Sequence, residues 1–173
     1  EDQKFGVATT DAPGIVAAIR ALPGLAFLGL HSHIGSQIFE TQGFAEAARR
    51  LLALHARLLA DGPVPELNLG GGFGIAYTVA DDPMPISAIA EGMAAALAEA
   101  AADLGVALPA IAVEPGRSIV GPAGTTLYTV GTVKPVTVAV PDGAAADEAA
   151  TAVRKYVSVD GGMSDNVRPA LYG

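Results

Sequence analysis

The spacing of apolar residues predicts alternating helices and strands over most of the chain. A helix is predicted for residues 12–22, where Pro23-Gly24 ends it, and another for Ile86–Leu104, with Gly105 just past its end. The clearest amphipathic pattern runs over Phe44–Ala60. Its apolar positions include Leu51, Leu52, Leu54, Leu58 and Leu59, and its polar positions Arg49, Arg50 and Arg57.

Short apolar runs between these helices predict buried strands at Leu25–His33, Val64–Leu69 and Ala110–Glu114. Strands that alternate with helices are typical of parallel βαβ units, so the predicted fold class is α/β. We expect residues 1–124 to form part of a (β/α)8 TIM-type barrel. A complete barrel takes about 250 residues, so this chain has room for about half of one.

The pattern changes after Gly124. Residues Thr125–Val140 are rich in Thr and Val and predict antiparallel strands, Pro141–Thr151 predicts a loop, and Val157–Asp160 returns to strand. We therefore expect residues 125–173 to be β-rich and to begin a second domain.

Composition and charge exclude several classes of partner and of site. The 173 residues are 51% hydrophobic and carry a net charge of −8, which argues against nucleic acid and anionic membranes as partners. The absence of cysteine excludes disulfides and thiolate metal sites. No apolar run has the length of a membrane span, and residues 1–20 do not resemble a signal peptide, so we expect a cytoplasmic protein. A first residue Glu1 rather than Met indicates a fragment.

Three motifs each follow a predicted strand, beginning at His33, Gly72 and Glu114. In a (β/α)8 barrel the loops after the carboxyl ends of the strands meet at one mouth and carry the chemistry. The sequence therefore predicts a single site at this end of the sheet.

The glycine triplet Gly70-Gly71-Gly72 follows the second strand. Glycine lets the backbone approach an anion closely and present its N–H groups, which suits a phosphate. A tight turn without a ligand explains the triplet equally well. The motif is neither a Walker A loop nor a good dinucleotide fingerprint.

His31 and His33 lie two residues apart, so in a strand their side chains point the same way. They could be a metal pair of the kind found in barrel hydrolases, but that needs further ligands, and the remaining histidine, His55, lies mid-helix. They could also be histidines of the core or the barrel lining. The third interpretation is an imidazole stacked on a planar cofactor whose phosphate bonds Ser36.

Glu114 ends an apolar strand and is followed by Pro115-Gly116-Arg117. A carboxylate there is costly to bury unless it is paired. One interpretation is a structural ion pair with Arg117. The other places the carboxylate at a cationic ring nitrogen, where it would keep a pyridine protonated and able to accept electrons.

Four polar residues crowd the last segment of the chain: Asp160, Asp165, Arg168 and Tyr172. Arg168 is suited to a bidentate contact with a carboxylate, and Tyr172 would add a hydroxyl donor. A solvated loop is the alternative.

With these motifs, the chain resembles the diaminopimelate decarboxylase family, pyridoxal-phosphate-dependent enzymes of the alanine-racemase-like fold. The resemblance covers essentially the whole chain. Its most specific segments are His31-Ser-His-Ile-Gly-Ser-Gln37, Glu114-Pro-Gly-Arg117 and Asp160-Gly-Gly-Met-Ser-Asp-Asn166. It implies decarboxylation of meso-2,6-diaminopimelate to L-lysine by a homodimer whose cofactor is pyridoxal 5'-phosphate.

The resemblance also implies residue roles. Glu114 and His33 would be catalytic, with His33 stacked on the cofactor ring. The cofactor phosphate and pyridine would be served by Ser36, Gly71, Gly72 and the segment Glu114, Pro115, Gly116 and Arg117. The substrate would be held by Arg117, Arg168 and Tyr172, and no metal is implied.

One departure from the family is large. The family's Schiff-base lysine lies on an early strand, and none of Lys4, Lys134 and Lys155 has that context. Lys134 and Lys155 read instead as exposed strand-edge residues, and the downstream Cys-Glu segment of the family is missing as well. We therefore expect a central fragment that is inactive alone. Rival interpretations are an ornithine- or arginine-type decarboxylase, a non-catalytic homologue that binds a partner, and a metal-dependent barrel hydrolase.

Overall fold

A computed structural model describes residues 5–139, 151–167 and 170–171. The chain divides into two compact units, Glu1–Gly124 and Thr125–Gly173.

The first unit is built around a parallel three-stranded sheet with the strand order β1-β2-β3. The strands are β1 (Gly29–His31), β2 (Glu66–Gly71) and β3 (Ala110–Glu114). The helices are α1 (Ala12–Ala21) before β1, α2 (Thr41–Leu58) between β1 and β2, α3 (Ile86–Leu104) between β2 and β3, and the short α4 (Gly116–Val120) after β3. This arrangement confirms the predicted α/β class with parallel strands.

The main core of this unit lies between β2 and the two long helices α2 and α3. Leu67 and Leu69 of β2 are 0% and 2% exposed, so one face of the strand is fully covered. Phe44 at the start of α2 stacks on Phe73, with ring centroids 4.7 Å apart. Burial of each large apolar side chain contributes roughly 1.5–3 kcal/mol, so this packing fixes β2 between its neighbours. Other members of the core are Ala48, Leu51, Leu52, Ile89, Met93, Leu97, Ala100 and Ala101.

The helix predictions are confirmed, with differences only at some ends. The helix predicted for Ile86–Leu104 has those bounds, and Gly105 ends it with φ +64°. The helix predicted for Phe44–Ala60 begins earlier, at Thr41, and passes after Leu58 into a 3-10 turn, Leu59–Asp61. Leu59 is 39% exposed because it lies in that turn and not on the buried face of α2.

Two strand predictions have the wrong bounds. Only Gly29–His31 is strand within the predicted range 25–33, and the second strand is Glu66–Gly71 rather than 64–69. The β1–β2 ladder starts at the register pair Gly29↔Glu66. Pro63 and Pro65 precede that pair and lack the N–H that a ladder requires, so the pairing starts late. The strand β2 continues through Gly70 and Gly71, as far as the register pair Gly71↔Glu114.

The third strand has the predicted bounds but not the predicted burial. Ile111 and Val113 are 40% and 46% exposed. Within the described residues, β2 is the only strand that pairs with β3, so β3 is an edge strand.

The second unit contains an antiparallel pair, β4 (Val130–Ala139) and β5 (Thr151–Val159). The segment 125–140 was expected to supply more than one strand, but its described part forms one, whose partner comes later in the chain. The strand expected at 157–160 begins at Thr151, because the ladder to β4 extends to the pair Ala139↔Thr151. The predicted loop otherwise lies outside the described residues. Lys134 and Lys155 are exposed on these two strands.

Candidate active site

The parallel sheet brings together His31 at the end of β1, Asn68 within β2 and Glu114 at the end of β3. His31 and Asn68 are register partners on β1 and β2, so their side chains leave the same face of the sheet. The Asn68 side-chain amide donates a hydrogen bond of 3.0 Å to Oε1 of Glu114, and Nε2 of His31 lies 3.3 Å from the same oxygen. The carboxylate is therefore held from two sides at the end of β3.

Sequence reasoning missed Asn68 and did not connect His31 with Glu114. A local signal for Asn68 exists, because it is the polar residue between Leu67 and Leu69, both of which are buried. Alternation along a strand then places Asn68 on the face opposite the helices. No comparable local signal links His31 with Glu114, because their contact depends on the register of two ladders.

The Glu114–Arg117 ion pair, one of the two interpretations of that motif, is not formed. The Glu114 carboxylate contacts His31 and Asn68, with its side chain 51% exposed. Arg117 instead donates from a terminal guanidinium nitrogen to Oε1 of Gln37 at 3.0 Å, and its guanidinium carbon lies 5.7 Å from the centre of the Tyr77 ring. The carboxylate is thus not neutralised by the nearest arginine in the sequence.

The glycine triplet allows the backbones at the strand ends to approach closely. The Gly70 amide donates to Oδ1 of Asn68 at 2.9 Å, and the Gly71 amide donates to Nδ1 of His33 at 3.3 Å. A Cβ on Gly71 would collide with the carbonyl oxygen of Glu114, and one on Gly72 with that of Gly35. The triplet therefore has a structural role at these strand ends.

The remaining predicted residues of the first unit flank this cluster in sequence. His33 and Ser36 are exposed in the loop after β1, on either side of Gly35, whose φ is +142°. Pro115 links β3 to α4, and Gly116 is the first residue of α4. The roles predicted for these residues remain predictions.

Arg168 and Tyr172 lie outside the described residues. Two acidic residues of the same stretch of sequence, Asp160 and Asp165, accept hydrogen bonds from backbone amides of the second unit. Asp160 accepts a hydrogen bond from the Thr129 amide at 2.8 Å, which lowers the pKa of its carboxyl group. Asp165 accepts from the Gly162 amide at 2.8 Å and closes a turn.

The third histidine, His55, differs from His31 and His33 because it is buried. His55 in α2 is 2% exposed, its Nδ1 has no hydrogen-bond partner, and burial lowers its pKa. Among residues 5–139, 151–167 and 170–171, no three histidine or carboxylate side chains form a group suited to a metal ion. None of the helices described there is long and apolar enough to span a membrane.

The sequence profile of one family, described as the pyridoxal binding domain of pyridoxal-dependent decarboxylases, matches residues 1–121. The chain belongs to the pyridoxal-dependent decarboxylase family. Within this family it is 47% identical to the diaminopimelate decarboxylase of Corynebacterium efficiens over 100% of its own length. It spans 36% of the length of that relative.

Solved decarboxylase structures have the same fold as this chain. The diaminopimelate decarboxylase of M. jannaschii, in complex with L-lysine, matches with a TM-score of 0.80 and 28% identity over 99% of this chain and 36% of that one. The Helicobacter pylori enzyme, also complexed with L-lysine, matches with a TM-score of 0.78 and 26% identity over 99% and 38%. Both matches include the described residues of both units.

Proposed function

We propose that the protein containing this chain decarboxylates meso-2,6-diaminopimelate to L-lysine with pyridoxal 5'-phosphate. The observation that carries this proposal is the 47% identity to a diaminopimelate decarboxylase, because it extends over the whole chain and not only over the cofactor-binding family match. In this proposal residues 1–124 are part of a (β/α)8 barrel, and residues 125–173 begin a second, β-rich domain. The full-length protein would be a homodimer.

The chemistry of the strand-end residues fits this cofactor. A carboxylate at the pyridine nitrogen keeps the ring protonated and able to accept electrons, and Glu114 offers one that is half exposed and not neutralised by Arg117. The phosphate requires donors, and the Gly70 and Gly71 amides already bond Asn68 and His33. The phosphate contacts would therefore fall chiefly to Gly72, Ser36 and Arg117.

When bound, pyridoxal phosphate supplies an electron sink for cleavage of the bond to the departing carboxylate. The chain's own residues would prepare the site for that chemistry. Glu114 would hold a proton at the ring nitrogen, while Asn68 and His31 orient its carboxylate from the neighbouring strands. His33 would stack on the ring, and Arg117, Arg168 and Tyr172 would bind substrate oxyanions through charge-assisted hydrogen bonds.

A substrate panel tests the proposed activity. The full-length protein, loaded with pyridoxal phosphate, would be assayed for carbon dioxide release from meso-diaminopimelate, L-ornithine, L-arginine and L-lysine. We expect turnover of diaminopimelate with L-lysine as the product. Preference for ornithine or arginine would replace the substrate assignment, and absence of any turnover despite bound cofactor would favour a non-catalytic homologue. Stoichiometric metal in the purified full-length protein would instead favour a barrel hydrolase.

A second experiment concerns residues 1–173 alone. Lys134 and Lys155 lie on β4 and β5 of the second unit rather than at an end of the parallel sheet. We therefore propose that this chain binds pyridoxal phosphate without a covalent link and is inactive alone. Borohydride reduction followed by mass spectrometry should give no stoichiometric lysine adduct, whereas an adduct on Lys4, Lys134 or Lys155 would contradict the proposal.

A further inference from the structure

Gln37 has an unusual backbone conformation. Its φ is +58°, and it is the only non-glycine residue with positive φ in the described part of the chain. Side chains other than those of Asn and Asp rarely adopt this left-handed region, because Cβ approaches the following carbonyl oxygen. Such a conformation persists only where surrounding contacts hold it, and it is a reason to ask what those contacts do.

The side-chain amide of Gln37 joins two loops. Its Nε2 donates to the Ile75 carbonyl at 2.7 Å, and its Oε1 accepts from the Ile75 amide at 3.2 Å. These bonds continue a short backbone pairing in which Ile38 donates to the Gly72 carbonyl at 2.9 Å and accepts from the Gly74 amide at 3.0 Å. Gln37 therefore fixes the loop after β2 against the loop after β1.

The same oxygen of Gln37 also accepts the hydrogen bond from Arg117, at 3.0 Å. Arg117 is half-buried, and the Tyr77 ring lies against its guanidinium. The loop that carries Tyr77 is held in turn by Asp81, whose Oδ2 accepts from the amides of Tyr77 and Thr78 at 2.9 and 2.7 Å. The guanidinium is thus contacted by an amide oxygen and by an aromatic ring.

Both contacts are electrically neutral. A carboxylate at position 37 would also accept from Arg117, but it would neutralise the positive charge and would lose the donor that Nε2 offers to the Ile75 carbonyl. A guanidinium has five N–H donors, so one bond to a neutral oxygen leaves donors and the full charge for another group. That arrangement suits an arginine whose own ligand is an oxyanion.

We propose that Gln37 is a positioning residue that holds Arg117 through a neutral acceptor, so that the guanidinium can bind an oxyanion. The oxyanion is either the cofactor phosphate or a carboxylate of the substrate. This inference rests on the proposed function, which supplies both anions. The proposed function gives Gln37 no role, and this inference assigns it one.

The test uses the full-length protein and three variants. Both Gln37→Glu and Gln37→Met lose the donor to the Ile75 carbonyl, but Gln37→Glu keeps an acceptor that neutralises Arg117, whereas Gln37→Met keeps the length and removes the acceptor. Gln42→Glu makes the same chemical change at an exposed position in the first turn of α2 and is the matched control. Binding of inorganic phosphate, pyridoxal phosphate and meso-diaminopimelate is followed separately through the Nε–H resonance of Arg117, and kcat and KM are measured where there is turnover.

We expect at least one of these anions to bind about tenfold more weakly to Gln37→Glu, the order of magnitude of one lost charge-assisted contact, with Gln42→Glu unchanged. Weaker binding of phosphate and pyridoxal phosphate identifies the cofactor phosphate as the ligand. A higher KM for diaminopimelate at unchanged kcat and cofactor affinity identifies the substrate carboxylate.

Two results would overturn the inference. One is that all three anions bind Gln37→Glu and Gln37→Met as they bind the unmodified protein, even if both variants are less stable, because Gln37 would then only brace the loops. The other is that no anion perturbs the Arg117 resonance of the unmodified protein. The proposed function fails on a different result, namely absence of decarboxylation by a protein whose Arg117 still binds phosphate in a Gln37-dependent way.

Discussion

Nε2 of His31 lies 3.3 Å from Oε1 of Glu114, although the strands that carry these residues are not neighbours in the sheet. The contact passes over β2, where Asn68 donates to the same carboxylate oxygen. Both side chains of the pair are 51% exposed, so the pair itself adds little to stability. Its consequence is orientation, because the Asn68 donor and the His31 imidazole both contact one oxygen of the carboxylate.

If this carboxylate serves the cofactor, its charge should matter more to activity than to binding. We predict that Glu114→Gln in the full-length protein retains pyridoxal phosphate but loses most decarboxylation. Removal of a charge that acts on the reacting centre costs on the order of 2–4 kcal/mol of barrier. The measurement is kcat at saturating cofactor, together with the Kd of the cofactor.

Glu66→Gln is the matched control for this prediction, because Glu66 is exposed at the opposite end of β2 and undergoes the same chemical change. It should retain normal kcat. Activity of Glu114→Gln within about a factor of two of the unmodified enzyme would refute the catalytic role, since that is far less than the loss of one such charge.

The glycine triplet gives a prediction about stability. We expect Gly71→Ala to lower the free energy of unfolding by about 1–3 kcal/mol, the usual cost of forcing extra atoms into a packed site. The reason is that its Cβ would collide with the Glu114 carbonyl oxygen. Chemical denaturation of residues 1–173, followed by circular dichroism, measures the change.

Gly14→Ala is the contrasting variant. Gly14 lies in α1, and a Cβ built there meets no atom within 4 Å. Alanine should therefore stabilise the helix, by roughly 0.5–1 kcal/mol. If the two variants change stability equally, close packing is not what requires glycine at position 71.

Sequence reasoning predicted the helices well because their ends carry local signals. Gly105 ends α3 and Pro23-Gly24 follows α1, and neither requires knowledge of the rest of the chain. Strand bounds were less accurate because a strand exists only where a partner supplies its hydrogen bonds. The apolar run at 25–33 reads as one long strand, but β2 pairs with it only from Gly29.

The same distinction applies to the site. Glu114 could be placed at a strand end because the preceding apolar run and the Pro-Gly that follows are contiguous in sequence. The partners of Glu114 and Arg117 could not, because His31 and Gln37 reach them from distant parts of the sequence. Proximity in sequence offered a Glu114–Arg117 ion pair as one of two interpretations, but in the folded chain each residue has another partner.

Arg168 carries a prediction that rests on sequence. We expect Arg168→Lys to raise KM for diaminopimelate by about tenfold, because an ammonium cannot reproduce the bidentate bond of a guanidinium to a carboxylate. The Kd of pyridoxal phosphate should not change. Arg154→Lys, an exposed position on β5, is the control. Equal damage to cofactor affinity would assign Arg168 to the phosphate or to the fold instead.

His55 makes stability depend on pH. Burial lowers its pKa below the ordinary 6.5, so the imidazole stays neutral in the folded chain at a pH where the unfolded chain already binds a proton. As the pH falls below about 6.5, the unfolded state binds more protons than the folded state, and the free energy of unfolding decreases by up to about 1.4 kcal/mol per pH unit. The loss stops once the pH is below the folded pKa as well. Above pH 7 the slope due to this histidine fades, because the unfolded state also loses its proton.

Denaturant unfolding of residues 1–173 between pH 5 and pH 7.5 would measure this slope. In His55→Leu the part of the slope due to His55 should vanish, because leucine fills the same buried position without a titrating group. His33→Gln removes an exposed imidazole and should leave that part of the slope in place. If His55→Leu keeps the full slope, the acid sensitivity arises from other groups, and the buried imidazole is protonated as readily in the folded chain as in the unfolded one.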